Sequence, residues 1–356
     1  MPVSSKMLSV SAEALDPHLS VDTIVVGTGP GGATVAKTLA EGGQSVVMLE
    51  WGDAAPLRGE FGQMLAIAAV PGKGAFVHSD MSLLMRGITA GGSSAINFAT
   101  AMTPPQALFQ KYGIDLSDNI KTLREQLPIN ILPDHLVGPM AKRIQSGAHA
   151  LDLNWQKLEK FIHIDQCRAA CPRCTYGCPY DAKFTARDFI DAATTSSAKL
   201  LTGAKVSQVS YNNGQVNGVE YTKDGVRHKL NTANVVLAAG GIGSPRILQN
   251  SGFKNAGRNY FVDPVVAVMG PVNDLAGKTE DAGREVPMAA GLQLPEQGIT
   301  LSDLTLPQPL YQAFCTQVGR INRLLAHRKT LTVMVKIKDD LGGQIGSKWV
   351  NKTLTD

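Results

Sequence analysis

No stretch of this chain approaches the roughly 20 consecutive apolar residues that a membrane-spanning helix needs. The longest apolar runs, such as Ala66 to Val70 and Val235 to Ala239, are the size of strands or core segments. Residues Met1 to Ser20 hold no basic stretch followed by an apolar one, and no twin-arginine pair. Without a secretory signal of that kind, a cytoplasmic location is the expectation. Basic runs are missing too. The net charge is +4 over 356 residues, with signs mixed along the chain, which argues against a nucleic-acid-binding role. There is no internal repeat and no low-complexity segment. Aliphatic residues and glycine are plentiful, with 36 Gly, as in an ordinary globular protein. The length suggests two domains. Of five cysteines, four fall between residues 167 and 178; a disulfide framework would spread them through the fold.

The first ordered signal lies near the N-terminus. Asp22 to Val26, DTIVV, reads as a short buried strand, followed by Gly27-Thr28-Gly29-Pro30-Gly31-Gly32. A helical stretch, Ala33 to Glu41, ends at Gly42-Gly43, and a second apolar strand, Ser45 to Leu49, closes with Glu50 and Trp51. This is a βαβ unit with G-x-G-x-x-G at its first turn. Gly27 permits the tight turn, Gly29 lets a pyrophosphate approach the backbone, and Gly32 lets the helix pack on the strand. The helix N-terminus presents free amides and the positive end of its dipole to phosphate. Glu50 stands where an acid hydrogen-bonds ribose hydroxyls. The motif by itself does not choose between NAD and FAD.

Two further stretches make that choice. Arg86 to Asn97 reads RGITAGGSSAIN, and Gly240 to Gly252 reads GGIGSPRILQNSG. They resemble the first and second signatures of the glucose–methanol–choline (GMC) oxidoreductases. Ala204-Lys205-Val206 and Val216 to Tyr221 resemble that family's adenine-side strand and hairpin, and Val235 to Gly240 the strand returning to the FAD. The resemblance covers roughly residues 20–270. It departs from the family pattern at Ile88, Ala90, Gly241 and Phe253-Lys254. It implies an α/β, Rossmann-like FAD-binding domain of GMC type. By the same resemblance the cofactor contacts include Gly27, Gly29, Pro30, Gly31, Gly32, Glu50, Trp51, Arg86, Gly91, Gly92, Ser93, Val206, Ala239, Gly240 and Ser244, with Asn97 near the flavin ring. The small residues Gly91-Gly92-Ser93-Ser94 would let backbone come close to a large planar ligand.

Cys167, Cys171, Cys174 and Cys178 form C-x3-C-x2-C-x3-C followed by Pro179. Thiolates at such intervals converge when they share a metal or a cluster, whereas pairing them as disulfides would demand very tight loops. The run differs by one residue, at its first interval, from the bacterial ferredoxin pattern. Arg168, Arg173 and Lys183 would offset the negative charge, and Pro172 and Pro179 would stiffen the loop. The expectation is an iron–sulfur cluster, 4Fe-4S rather than 3Fe-4S. Structural zinc, disulfides, and a loop with no ligand remain open beside it. Cys315 sits alone in an apolar helical segment and reads as a buried thiol.

GMC enzymes run well beyond this length by resemblance, and their C-terminal part supplies a catalytic histidine. None of the seven histidines here, His18, His78, His135, His149, His163, His228 and His327, lies in a motif. A second polypeptide completing the site is therefore expected, with a missing C-terminal part of a longer chain as the alternative. The FAD domain is expected as two pieces, residues 20–105 and 190–265. Residues 106–189 would form a helical insertion, with a helix over Leu136 to Leu151 and the cysteine loop. Residues 266–356 would begin an α+β substrate domain, with Gly270 to Gln297 a loop over the site. The resemblance implies a dehydrogenase taking a hydride from the CH–OH group of an alcohol-type substrate, passing electrons through the cluster to a protein or carrier acceptor. A flavin-dependent reductase of a C=C or ketone substrate and a non-catalytic electron-transfer subunit are the rival readings.

Overall fold

The computed structural model describes residues 4, 6–11, 15, 16, 19–77, 82–273, 283–347 and 349–352. His18 and His78 lie outside these, as does part of the Gly270 to Gln297 segment.

Thr23–Val26 (β1), Pro30–Glu41 (α1) and Val46–Leu49 (β2) form the expected βαβ unit. The helix starts at Pro30, earlier than Ala33, because a proline at the first helical position has φ already set and no amide to lose. Further along come Arg187–Thr195 (α2), Lys199–Leu201 (β3), the antiparallel strands Lys205–Asn212 (β4), Gln215–Lys223 (β5) and Val226–Leu230 (β6), then Asn234–Leu237 (β7) and Gly240–Asn250 (α3). The parallel sheet runs in the order β7-β1-β2-β3. Its register is tight, with Thr23 opposite Asn234 and Val26 opposite Leu237.

Each strand of this sheet is apolar on both faces because both faces are covered. Val25, Val46 and Met48 pack under α1 and α2 with Ala33, Ala36, Phe189 and Ile190. Ile24, Val26, Val47 and Leu49 pack under the β4–β5–β6 meander with Val209, Val219, Tyr221 and Leu230. Alternation of the strand side chains thus builds two cores, one per face. This three-layer, Rossmann-like α/β unit places the β1–α1 turn and the β7–α3 turn side by side.

A second sheet is antiparallel. Val265–Pro271 (β8), Ala290–Leu294 (β9), Ile299–Asp303 (β10) and Thr330–Ile337 (β11) stack in the order β8-β11-β10-β9, with Gln156–Lys157 adding the fifth strand beside β9. The helix Pro139–His149 packs against β9, β10 and β11. So the region 106–189 gives both a helix and an edge strand to this sheet. The helix starts after Leu136 because Gly138 and Pro139 mark its N-terminus, and Glu285 accepts from the Met140 and Ala141 amides at 2.7 and 3.1 Å. Of the Gly270 to Gln297 segment, Gly270 and Pro271 close β8, and 290–294 is strand rather than loop. Gly291 is admitted there because a Cβ would sit 2.4 Å from the Leu301 carbonyl oxygen across the ladder.

Candidate functional site

The site begins at the turn after β1. Gly27 has φ 92°, and a Cβ on it would lie 2.5 Å from the Ala238 carbonyl oxygen. A Cβ on Gly32 would lie 1.9 Å from the Gly27 oxygen. These two glycines serve chain packing. Gly29 and Gly31 differ: the nearest atom to a Cβ on Gly29 is 3.9 Å away, and Gly31 has nothing within 4 Å. They face open space at the start of α1, where no side chain caps the helix and the first amides have no acceptor of their own.

The Arg86–Asn97 motif folds against this turn. Gly91 and Gly92 take φ 89° and 56°, leading into a 3-10 turn over Gly92–Ala95. A Cβ on Gly92 would lie 2.7 Å from the Gly29 Cα. The loop is pinned from behind. Ser93 Oγ accepts from the Gly87 amide at 3.0 Å, and Ser94 Oγ accepts from the Ala186 amide at 2.9 Å. Arg187, 2% exposed, donates to the Ala90 and Ala55 carbonyls and to Thr89 Oγ1. Asn97 is exposed at the end of the loop, and its Oδ1 accepts from the Ala99 amide. On the other side, the Ala239 amide donates to Ser244 Oγ, and Gly240, at φ 75°, faces open space. Val206 is buried in the core beneath the meander.

The charged groups are arranged around Glu50 and Trp51. Glu50 is buried and accepts from the Thr28 amide and hydroxyl and from the Gly52 amide. Burial raises its pKa, against those hydrogen bonds. Lys205, Lys73 and Arg86 lie 4.6, 5.4 and 5.8 Å from the centre of the Trp51 ring. Arg86 and Arg246 share the Phe76 ring, at 5.6 and 5.2 Å. Burial, and then Arg246, pulls the Arg86 guanidinium down to about 10. Arg246 Nη2 is buried with no hydrogen-bond partner. Among the described residues, neither arginine pairs with a carboxylate. Two half-buried like charges, one with a buried orphaned donor, call for an anion. Open glycines at a helix start, an acid at the end of β2 and this arginine pair together fit a dinucleotide such as FAD.

The cysteine loop lies behind the glycine loop. Cys167 and Cys174 pack in one core cluster with Ile162, Ala99 and Leu132. The chain turns sharply at Ala170, Gly177 and Cys178, with φ 54°, 95° and 36°. Burial pushes the Cys167 thiol up to about 12, helped by Cys174, Cys171 and Cys178, and the Cys171 thiol up to about 11. All four sulfurs thus lie within electrostatic reach of one another. None forms a disulfide. Among the described residues, no three His, Cys, Asp or Glu side chains are close enough to hold one metal ion. Structural zinc, which needs four sulfurs about 2.3 Å from one point, does not fit the loop as it stands. Arg173 lies near Cys171, while Arg168 stacks on Tyr180 at 4.3 Å.

Among the functional candidates, Lys160 carried no motif. Arg246 falls within the second signature but gave no signal of its own. Lys160, wholly buried, donates to the Phe98, Pro287 and Met288 carbonyls. Lys183, 2% exposed, donates to the Ala95, Asn97 and Cys174 carbonyls. Burial pulls Lys183 down to about 8, against the opposing pull of Cys174 and Cys178. Of the histidines, His149 and His327 are held by the Trp155 and Leu306 carbonyls, and His228 stacks on Tyr221. Cys315 is buried in the helix Gln308–Gln317. No helix among the described residues is long and apolar enough to cross a membrane.

Comparison with known proteins agrees with this geometry. An uncharacterized GMC-type oxidoreductase of Mycobacterium tuberculosis is 27% identical over 289 residues, covering 75% of this chain and 45% of its own length. The long-chain-alcohol oxidase FAO1 of Arabidopsis thaliana is 22% identical, covering 95% of this chain and 49% of its own. This chain therefore spans about half the length of these relatives. Among solved structures, a pyridoxine 4-oxidase superposes with a TM-score of 0.65 at 16% identity, over 91% of this chain and 73% of the other. A formate oxidase gives 0.65 at 14% identity, over 96% and 78%. At these identities the likeness is one of fold. The family model for GMC oxidoreductase matches residues 21–266, and the chain belongs to the GMC oxidoreductase family.

Proposed function

We propose that the chain is the FAD-binding part of a dehydrogenase acting on the CH–OH group of an alcohol-type substrate. The observation that carries this reading is the packing of the Gly91–Ala95 loop and the β7–α3 turn against the Gly27–Gly32 turn, with Glu50 hydrogen-bonded to that turn and the Arg86–Arg246 pair on the Phe76 ring. FAD, when bound, supplies the hydride acceptor. The chain's own part is to hold it. The free amides of α1 and the arginine pair take the diphosphate charge, and Glu50 takes ribose hydroxyls. Gly91 and Gly92 bring backbone amides close to the ring, with Asn97 at its edge.

The proton of the substrate hydroxyl needs a base, and His149, His228 and His327 are engaged elsewhere. We assign that base to further polypeptide, in a second subunit or a longer chain. Val265, Val266 and Val268 stand exposed on β8, an edge strand of the second sheet, a surface that more chain would cover. The relatives named as oxidases use the same fold, and the preference for a dehydrogenase rests on the cysteine loop. The C-x3-C-x2-C-x3-C spacing and the neighbouring buried lysines support an iron–sulfur cluster, which would supply one-electron chemistry beside the flavin. The physiological acceptor in this reading is a redox protein or carrier.

The test is anaerobic purification followed by addition of primary and secondary alcohols. Bleaching of bound flavin, with turnover on an artificial acceptor outpacing turnover on oxygen, is the expected result. Flavin that no alcohol bleaches, with turnover in the reductive direction on enones, sinks the reading.

A further inference from the structure

A cavity of about 610 Å³ lies between the start of the helix Phe61–Ala68, the turn at Pro172 and Arg173, and the start of the helix Gln308–Gln317. It shares no residue with the glycine motifs or with the Arg86–Arg246 pair. Its lining carries three guanidinium groups, of Arg173, Arg284 and Arg328, against one carboxylate, of Glu60. The backbone brings these together. A Cβ on Gly283, at φ 74°, would lie 3.4 Å from the Arg328 Cα, so Arg284 and Arg328 spring from touching backbone. A Cβ on Gly59 would lie 3.3 Å from the Arg173 Cδ, which sets the Arg173 stem beside the backbone leading into Glu60. Arg173 and Arg284 form no ion pair among the described residues. His327 adds no cation to the lining. Its Nε2 donates to the Leu306 carbonyl at 2.7 Å, and burial lowers its pKa.

Both helices start at the wall of this cavity, which Glu60, Phe61, Pro307 and Gln308 line. Neither helix has a side-chain cap or an acid in its first turn. Their first amides have no acceptor of their own, and the positive ends of both dipoles meet here. A Cβ on Gly62 would meet nothing within 4 Å, so the first turn of Phe61–Ala68 is open to a ligand. Tyr176 also lines the cavity. It is 6% exposed, and its hydroxyl has no hydrogen-bond partner among the described residues. A buried hydroxyl left without a partner calls for one. Phe61, whose ring centre lies 5.8 Å from that of Tyr176, and three prolines supply an apolar wall. The volume is that of a small-molecule site and exceeds what a bare oxyanion fills.

We propose that this cavity binds a phosphate monoester with an apolar body. The phosphate is met by Arg173, Arg284 and the two helix starts, with the Tyr176 hydroxyl as a further donor. The body lies on Phe61 and the prolines. Tyr176 packs in one core cluster with Ala95 and so connects the cavity to the loop assigned to the flavin. The site is separate from the flavin site and stands whether or not that reading holds.

The test saturates the full chain with FAD, so that the glycine-rich site is filled, and reads binding by titration calorimetry. The probes are phenyl phosphate, phenol, benzoate and inorganic phosphate. Phenyl phosphate should bind about tenfold or more tighter than each of the others. Arg173→Gln with Arg284→Gln should weaken it by about tenfold or more, with the ligand-free melting temperature unchanged. Arg284→Gln alone, at an exposed side chain, decides the matter if the double variant does not fold. Tyr176→Phe should also weaken phenyl phosphate, yet melt no lower than the wild type without ligand, because its hydroxyl is unpaired there. A merely structural tyrosine gives the opposite pattern. Phenol binding as tightly as phenyl phosphate, an affinity the arginine variants leave unmoved, or no binding at millimolar phenyl phosphate overturns the proposal. Benzoate binding tighter than phenyl phosphate overturns the assignment to phosphate.

Discussion

Gly92 meets Gly29 so closely that a Cβ on Gly92 would lie 2.7 Å from the Gly29 Cα. The contact joins the two glycine motifs into one wall. Gly92→Ala should therefore be severe. Its φ of 56° adds about 1–2 kcal/mol of left-handed strain to a clash that only backbone movement relieves. Flavin content of the purified variant should fall more than tenfold, with a lowered melting temperature. Gly31→Ala is the contrast: nothing lies within 4 Å. In the flavin-free protein, alanine there should raise stability by about 0.5–1 kcal/mol. A flavin-free Gly31→Ala protein that melts lower than the wild type would count against the open space assigned to that turn.

Glu50 accepts three hydrogen bonds while buried. Glu50→Gln turns one oxygen into a donor that faces other donors. The expected loss is about 1–3 kcal/mol of stability, with at least a tenfold weaker hold on flavin. Equilibrium denaturation and flavin titration read the two effects separately.

The arginine pair predicts anion binding without any flavin. ADP should raise the melting temperature of the flavin-free protein more than adenosine does. At a concentration of 100 times its Kd, the stabilisation is about 2.7 kcal/mol. Arg246→Met removes the guanidinium whose Nη2 lacks a partner and should erase most of the difference between the two ligands. An unchanged difference would place the phosphates elsewhere.

Asp303 gives a pH signature. Burial raises its carboxyl to about 6, against hydrogen bonds from the Ala290 and Ala289 amides. The unfolded chain releases this proton near 3.8, so the native state binds more protons in between. The stability this proton lends is complete below about pH 4 and is lost as pH rises through about 6. Two pH units correspond to on the order of 3 kcal/mol. Asp303→Asn lacks the effect. The wild-type stability minus that of the variant, from denaturation at pH 4 and pH 6.5, should fall by a few kcal/mol; a flat difference would refute it.

The βαβ unit was legible because its signals are local: four apolar residues, a glycine pattern and a closing acid. The cysteine loop was legible as a spacing, but not its surroundings. Lys160 sits in the three-residue strand Glu159–Phe161, where a charged residue reads as solvent-facing; only tertiary burial turns it inward. Arg187 opens a helix and reads as exposed, yet it braces the glycine loop through three acceptors. Ser93 reads as a ligand contact, and the sequence gives no sign that its hydroxyl also accepts from the Gly87 amide. The second sheet was hardest, because Gly270 to Gln297 shows no period and its strand pairs with residues that follow it.

The register of β1 against β7 carries a consequence for how the protein is made. Strand β1 is central, with β2 on one side and β7 on the other. The ribosome delivers β1, α1 and β2 early, but Asn234 to Leu237 only after most of the insertion has emerged. Until then one edge of β1 is unpaired and its apolar faces are only partly covered, a state open to wrong pairing. The β7–α3 wall of the cofactor site is missing for the same interval. The cofactor site can therefore be complete only once residues beyond Gly240 are free to fold back.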